Sequence, residues 1–453
     1  MAAKIWKFKG GVHPDPNKIT AGSPIETMPS PSRAIFPIAQ HLGAPAKPVV
    51  EIGDKVLRGQ TIAKPGGFVS APIHSSISGE VLAIGEFPHP MGRPVLSIFV
   101  EDDGEDVEVE YEGADPDALD PETIKKRVQA GGVVGLGGAT FPTNVKLSPP
   151  KEKKIDTVIL NGAECEPYLT ADHRLMLEEA DRILGGLFII MKALGVDRGY
   201  IGIEKNKPDA IAHLTEKTKG YKNIDIIPLR VMYPQGAEKQ LIKTITNREV
   251  PPPPALPMDV GCVVHNVGTA AALHDAVVLG KPIMERVLTV TGSGIRNPKN
   301  VRARLGTPFF EVIEFCGGMA EDTAKVIAGG PMMGIAQYTL NVPVIKGTSG
   351  ILVMRRKDIV TVEPRACIRC SKCVEACPMG LMPADIVAAV DKKDWEAAEK
   401  LGILSCVECG ACAYACLGKR QIVQIKKYGK AEVMKNIKKR QEAEKVEKVA
   451  RSK

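Results

Sequence analysis

The chain has 453 residues, of which 44% are hydrophobic and 25% charged, and its net charge is +7. That balance belongs to a globular protein of roughly three or four folded units. An aromatic content of only 4% argues against a base-stacking nucleic-acid surface, and no apolar run reaches the roughly 18–20 residues a membrane helix needs. Met1 to Lys9 lack the apolar core of a secretion signal, so the expectation is a chain made in the cytoplasm with no transmembrane segment.

In chain order, residues 1–30 are rich in Pro and Gly and read as an extended arm. Residues 31–110 alternate short apolar runs with turn residues, with strands expected over Val49–Val56, Gly59–Ala63 and Ile77–Gly85. This all-β pattern resembles the barrel-sandwich fold of biotinyl and lipoyl carriers. A carrier presents a lysine at its hairpin tip; the matching Ala71-Pro72-Ile73-His74-Ser75 has none, so the resemblance implies the fold without swinging-arm chemistry. Residues 102–120 are acidic and read as a linker. Over 111–283, strand-like and helix-like patterns alternate as in βαβ units: Thr157–Leu160, Gly199–Ile203 and Ile224–Leu229 as strands, Leu175–Leu194 as a helix. The run Pro251–Pro254 is a stiff break. A compact module follows over 284–350, a cysteine region over 355–420, and a tail over 421–453.

The tail is basic. Residues 419–453 hold 13 Lys/Arg against 4 Asp/Glu, so the folded body carries a slight negative balance. A solvated helix or a disordered segment explains this as well as attraction to an anionic leaflet or an acidic partner does.

Eight of the eleven cysteines fall in two runs, Cys367-x2-Cys370-x2-Cys373-x3-Cys377-Pro378 and Cys406-x2-Cys409-x2-Cys412-x3-Cys416. Thiolates at this spacing wrap three corners of an iron–sulfur cubane, and the fourth cysteine of each run serves the other cluster. The expected sets are Cys367, Cys370, Cys373 and Cys416 for one [4Fe–4S] cluster, and Cys406, Cys409, Cys412 and Cys377 for the second. Zinc sites and redox dithiols are the alternatives, and two complete four-cysteine runs suit zinc poorly. Leu417 stands where a proline usually follows the last ligand. Between the runs, Pro383 and apolar residues at helical spacing up to Leu404 predict a helical unit. Cys165, Cys262 and Cys316 read as buried inert thiols.

A second motif is Gly131-Gly132-Val133-Val134-Gly135-Leu136-Gly137-Gly138-Ala139-Thr140-Phe141-Pro142-Thr143. Glycines let a backbone approach a phosphate and turn its N–H groups toward it. A glycine-rich surface turn is the plainer reading of such a run alone. Lys146 stands ready for a phosphate. The strand at Thr157–Leu160 delivers Asn161-Gly162-Ala163-Glu164-Cys165-Glu166-Pro167 at its C-terminal end, where ligands bind in open α/β sheets. Solvated acids at a strand-end turn are the alternative.

These residues, with Tyr233-Pro234-Gln235-Gly236-Ala237-Glu238 and His265-Asn266-Val267-Gly268-Thr269, resemble the FMN- and NADH-binding loops of the flavoprotein subunit of respiratory complex I. The module over 284–350 resembles that family's soluble-ligand-binding β-grasp unit. The arm with Gly10-Gly11-Val12-His13-Pro14, the β module, the flavin domain, the β-grasp and the two cysteine runs follow the order of the C component of the Rnf family, membrane-bound ferredoxin:NAD⁺ oxidoreductases. The resemblance implies a multidomain chain: a barrel-sandwich module, a Rossmann-like α/β flavin domain, a β-grasp module and a small helical two-cluster ferredoxin-like domain. It implies non-covalent FMN held by Gly135, Gly137, Gly138, Lys146, Asn161, Gly236, Asn266 and Thr269. Phe141, Glu164, Glu166 and Glu238 complete the cofactor-binding set, with Phe141, Glu166 and Glu238 on the nicotinamide side. Ala163, Ala237 and Gly268 replace acidic residues of the complex I pattern.

The implied activity is exchange of hydride with NAD(H) at FMN and of single electrons through two [4Fe–4S] clusters, with no side chain acting as general acid or base. The implied partners are NAD(H), the integral membrane and iron–sulfur subunits of an Rnf-type complex and, indirectly, ferredoxin, with no nucleic acid. The implied place is peripheral, on the cytoplasmic side of the membrane. A corrin reductase sharing the flavin and cluster parts, and an iron–sulfur electron adaptor without flavin, are the competing readings.

Overall fold

A computed structural model describes the backbone of residues 5–451 and the side chains of residues 5–445. Two small antiparallel sheets build the N-terminal module, one ordering strands 33–37, 95–102, 79–87 and 55–56, the other strands 47–48, 61–64 and 73–74. Phe36, Ile62, Ile73, Ile77, Val81 and Ile98 are buried in its core. The strand expected over 49–56 is instead a turn leading into the two-residue strand Lys55–Val56. The Glu51 N–H donates to the Asp54 carboxylate at 2.8 Å and Gly53 takes a φ of +93°, so a local side-chain bond outcompetes the ladder.

Ala71–Ser75 is buried in a seam between modules. The buried Lys346 ammonium donates to the carbonyls of Pro72 and Gly132, each at 2.8 Å. Burial lowers the Lys346 pKa to about 7. Burial, then the Lys346 charge, lowers that of His74 to about 3. The hairpin that a carrier would expose thus joins the β module to the start of the glycine-rich loop.

The central unit is a four-stranded parallel sheet ordered 224–229, 199–204, 157–162, 262–266. Pro228 is tolerated because its strand lies at the edge. Instead of one helix over 175–194 there are two, Ala171–Glu178 and Ala180–Leu194, broken at Glu179 with φ −130° and ψ 31°. Glu179 pairs with Arg182 in the next turn and with Arg302 on a distant strand, tertiary contacts that accompany the interruption. Gly186 explains its own presence in this apolar helix: a Cβ there would lie 1.9 Å from the Ala270 carbonyl oxygen, so the helices 180–194 and 267–274 touch backbone to backbone.

A six-stranded mixed sheet follows, ordered 25–27, 299–304, 285–291, 350–355, 323–328, 335–336. Its outer strand Ile25–Thr27 belongs to the N-terminal arm, paired parallel with 299–304. The Asn300 amide donates to the carbonyls of Thr20 and Ser23 at 2.9 and 3.1 Å. Strand 350–355 carries this sheet past the expected limit at 350.

The cysteine region is helical, with short helices at 372–375 and 411–414. The helical unit expected over 383–404 consists of two helices, Pro383–Asp391 and Trp395–Lys400, separated where Lys393 takes a φ of +57°. The basic tail forms the helix Ile422–Arg451. Its first turns bury Ile422, Lys426 and Val433 against the cluster-bearing helices. Among the described residues no helix is long and apolar enough to cross a membrane.

Candidate flavin and iron–sulfur sites

The glycine-rich loop closes on itself: the Gly135 N–H donates to the Phe141 carbonyl at 2.9 Å and Val134 bridges Pro142. Thr269 anchors it, its hydroxyl accepting from the Leu136 N–H at 2.8 Å. A Cβ on Gly137 would meet the Asn266 side chain at 2.8 Å, whereas one on Gly138 would meet nothing within 4 Å. Gly137 is therefore required by packing, and Gly138 leaves an open cradle. Lys146 lies at the end of a one-turn helix, 2.7 Å from the Glu238 carboxylate and 2.9 Å from the Val264 carbonyl. Asn161, leaving its strand, donates to the Gly236 carbonyl at 2.7 Å. Thus 135–146, 161–166, 236–238 and 266–269 converge at one end of the parallel sheet.

Several of these polar groups are already committed within the protein. The Asn266 amide donates to Asp172 at 2.6 Å and its oxygen caps the following helix through the Gly268 N–H at 2.8 Å. Glu164 accepts from the Asp172 and His173 N–H groups at 2.7 and 3.2 Å, holding a helix N-terminus. Burial and the Glu164 charge raise the Asp172 pKa to about 6, opposed by the Arg286 guanidinium. Glu166 accepts from the Met332 and Met333 N–H groups at 2.7 and 3.1 Å, and burial raises its pKa. The structure therefore gives Glu164, Asn266 and Thr269 the work of shaping the loops. It sets Glu166 at a seam with residues 330–333. Among the described residues, the buried Thr143 hydroxyl and His265 Nε2 there have no protein partner. Beside the Gly138 cradle and the Lys146 ammonium, these orphaned polar atoms suit a polar, anionic cofactor such as FMN.

The two cysteine runs wrap alike. Arg369 and Ser371 in the first take positive φ of 54° and 62°, and Glu408 and Gly410 at the same places in the second take 58° and 83°. Cys367, Cys370, Cys373 and Cys416 line one hollow of about 460 Å³, part of it open to solvent, with Cys367 and Cys370 exposed. Burial raises the Cys409 thiol to about 11, with Cys412, Cys406 and Cys377 the neighbouring thiols that add to it. So the fourth cysteine of each run faces the first three of the other, and the second set is buried. The Leu381 and Glu408 N–H groups donate to Cys377 and Cys406 sulfurs, each at 3.4 Å. Among the described residues no three His, Cys, Asp or Glu side chains gather around a single ion position. Four thiols around a volume, with N–H groups directed at sulfur, fit a cubane cluster.

Comparison with known proteins agrees with this layout. Residues 6–105 match the RnfC barrel sandwich hybrid domain, 128–275 the Nuo51 FMN-binding domain, 287–336 the SLBB domain and 359–417 a 4Fe-4S dicluster domain. The C component of the proton-translocating ferredoxin:NAD(+) oxidoreductase complex of Clostridium ljungdahlii is 47% identical, covering 94% of each chain. Its counterpart in the Na(+)-translocating ferredoxin:NAD(+) oxidoreductase complex of Acetobacterium woodii is 46% identical over 96% of this chain and 98% of that one. This chain belongs to the RnfC family. The C component of the ion-translocating oxidoreductase complex of Rhodobacter capsulatus, another member, is 45% identical over 88% of this chain and 78% of its own.

In this RnfC chain, motif reading missed the residues that join the parts. Lys18, from the arm, donates to the carbonyls of Glu164, Glu166 and Leu169 at 2.8, 2.9 and 2.6 Å. Lys207, buried, donates to the Ala163 carbonyl at 2.7 Å. Tyr233 donates to the Cys409 carbonyl at 2.6 Å, and Gln240 to that of Pro378 at 3.2 Å. Partners 44 to 176 residues away leave no local signature.

Proposed function

We propose that this chain is the peripheral NAD(H)-linked subunit of an Rnf-type ferredoxin:NAD⁺ oxidoreductase, carrying FMN and two [4Fe–4S] clusters. Within it, the barrel-sandwich module spans about 31–110, a Rossmann-like flavin domain 111–283, a β-grasp module from 284 and the two-cluster unit 355–420. The single observation that carries the reading is the Tyr233–Cys409 bond, which fastens a loop of the flavin domain to a cysteine of the buried ligand set. FMN, when bound, converts between two-electron hydride chemistry and one-electron chemistry.

The chain's own residues do the positioning. Thr269 and Asn266 hold the glycine-rich loop open, and Gly135, Gly137 and Gly138 keep its backbone approachable. Lys146 offers a cation to phosphate, and Asn161 and Gly236 brace the opposite loop. Phe141, Glu164, Glu166 and Glu238 complete the set proposed for FMN and NAD(H). The ligand set Cys406, Cys409, Cys412 and Cys377 lies on the flavin side; the set Cys367, Cys370, Cys373 and Cys416 lies outward, with two exposed cysteines suited to exchange with a partner. Membrane and iron–sulfur subunits of the complex, on the cytoplasmic side, are the proposed partners, with ferredoxin reached through them. The relatives favour neither the corrin reductase nor the flavin-free adaptor.

The test is an anaerobic NADH titration of purified, FMN-supplied protein, read by flavin and cluster absorbance. Bleaching of both is expected. Absence of FMN uptake together with absence of bleaching would refute the reading, and efficient reduction of cob(II)alamin would turn it toward a corrin reductase.

A further inference from the structure

Lys426 is a buried cation that the flavin and cluster reading does not use. It lies in the first turns of the helix 422–451, with only 3% of its surface exposed. Ile425 beside it packs with Cys412 and with Cys406, and the Lys426 ammonium has those two cysteine side chains as neighbours. One turn on, Lys430 donates to the Cys406 carbonyl at 2.9 Å and to Glu408 at 3.0 Å. Lys427 faces outward, 3.9 Å from the same Glu408. Among the described residues the cations beside the other ligand set differ: Arg369 and Arg420 line its hollow, the first exposed and the second paired with Asp391 at 3.1 Å, and Lys372 is exposed and paired with Glu375 at 2.9 Å. A long side chain carrying a charge is rarely buried without a compensating group. Beside Lys426 the groups that can compensate it are the Cys406 and Cys412 side chains.

We propose that Lys426 sets the two clusters apart, its buried charge raising the reduction potential of the cluster held by Cys406, Cys409, Cys412 and Cys377. The inference rests on the reading that both cysteine runs carry clusters. One-electron reduction adds a negative charge to the cluster, forms and breaks no bond and takes up no proton. A fixed positive charge buried beside the ligand cysteines, where solvent screens little, favours the reduced state. Cations that are exposed or already paired with a carboxylate, as Arg369, Arg420 and Lys372 are, are screened and contribute little. The basic segment that resembled a solvated tail therefore supplies, at its root, an electrostatic element of the redox site.

The test is a dithionite redox titration of the full-length, anaerobically purified protein, followed by EPR, with iron measured on the same samples. Lys426→Met and Lys426→Gln are expected to weaken reduction of one cluster on the order of tenfold, ~59 mV lower for a one-electron couple, leaving the other unmoved. Lys426→Arg keeps the charge and is expected to keep the potential. Lys430→Met, which removes no contact to sulfur, is expected to lower the same potential by less. The proposal is overturned if the neutral Lys426 variants leave both potentials in place or move both equally. It is equally overturned if those variants lose the cluster and Lys430→Met shifts neither potential. Wild-type protein with iron for fewer than two clusters would refute the cluster reading itself, whereas two clusters with unmoved potentials would refute only the role of Lys426.

Discussion

Replacing Tyr233 by Phe tests the seam between the FMN-binding domain and the cysteine-bearing unit. Tyr233 is 2% exposed, and its hydroxyl donates to the Cys409 carbonyl at 2.6 Å. The ring stays in Phe, so its packing against Val12, Ala376 and Ala411 is kept. What is lost is the buried bond to the Cys409 carbonyl, which is left without that donor, and the hydroxyl beside the Glu166 carboxylate. An orphaned buried acceptor costs about 1–3 kcal/mol. With urea slopes of about 1–3 kcal/mol/M, the midpoint for loss of the cluster absorbance should fall by roughly 1 M. Tyr200→Phe is the control: its hydroxyl accepts from Arg198 at 3.2 Å on the surface, and its loss should cost less than about 0.5 kcal/mol. Equal midpoints for the two variants, or a Tyr233→Phe shift below about 0.5 kcal/mol, would refute the claim that this bond fastens the units together.

Cys416→Ala should remove the iron of one cluster and Cys377→Ala that of the other, each halving iron content and abolishing a different EPR signal; loss of the same signal from both would refute the exchanged pairing. Gly137→Ala forces a Cβ into Asn266 and should destabilise by about 1–3 kcal/mol, while Gly138→Ala, which meets open space, should melt like the parent and weaken only FMN binding by fluorescence titration. Lys346 has a folded pKa of about 7 against 10.5 for the free side chain. Between these values the unfolded state binds more protons, so stability should rise with pH from about 7 toward 10.5, and Lys346→Met should flatten that rise in a series of melts. His74 and His265, each held neutral by burial to about pH 3, obey the same sign at lower pH: stability should fall as pH drops below about 6.5.

Much of the site was legible locally. Cysteine spacing specifies its own ligand geometry, because two intervening residues suffice to wrap a thiolate around a cubane; the repeated left-handed residues at 369, 371, 408 and 410 show both runs doing so. The strands at 157–162 and 199–204 announced themselves as short apolar runs, as buried parallel strands do. Local reading failed where a competing local feature or a distant partner won. Asp54 and Gly53 made a turn of an alternating segment, a left-handed residue at Lys393 separated two helices, and the break at Glu179 is accompanied by its pairing with the distant Arg302. The tail read as a charge run because the few residues it buries against the cluster helices, Ile422, Lys426 and Val433, are outnumbered by exposed Lys and Arg along the same helix.

The amino-acid sequence by itself determined the cofactor chemistry, since thiolates in fixed order and glycines that admit a phosphate are properties of short segments. Only the tertiary structure decided how the parts are joined: that Lys18 and Lys207 hold the 163–169 loop by its carbonyls, that Tyr233 reaches Cys409, that the carrier-like hairpin is buried under Lys346, and that Lys426 is buried at the root of the tail helix. The reason is physical. A buried ammonium or hydroxyl must find a partner wherever the fold supplies one, and that partner is set by packing across dozens or hundreds of residues rather than by the neighbours in the chain.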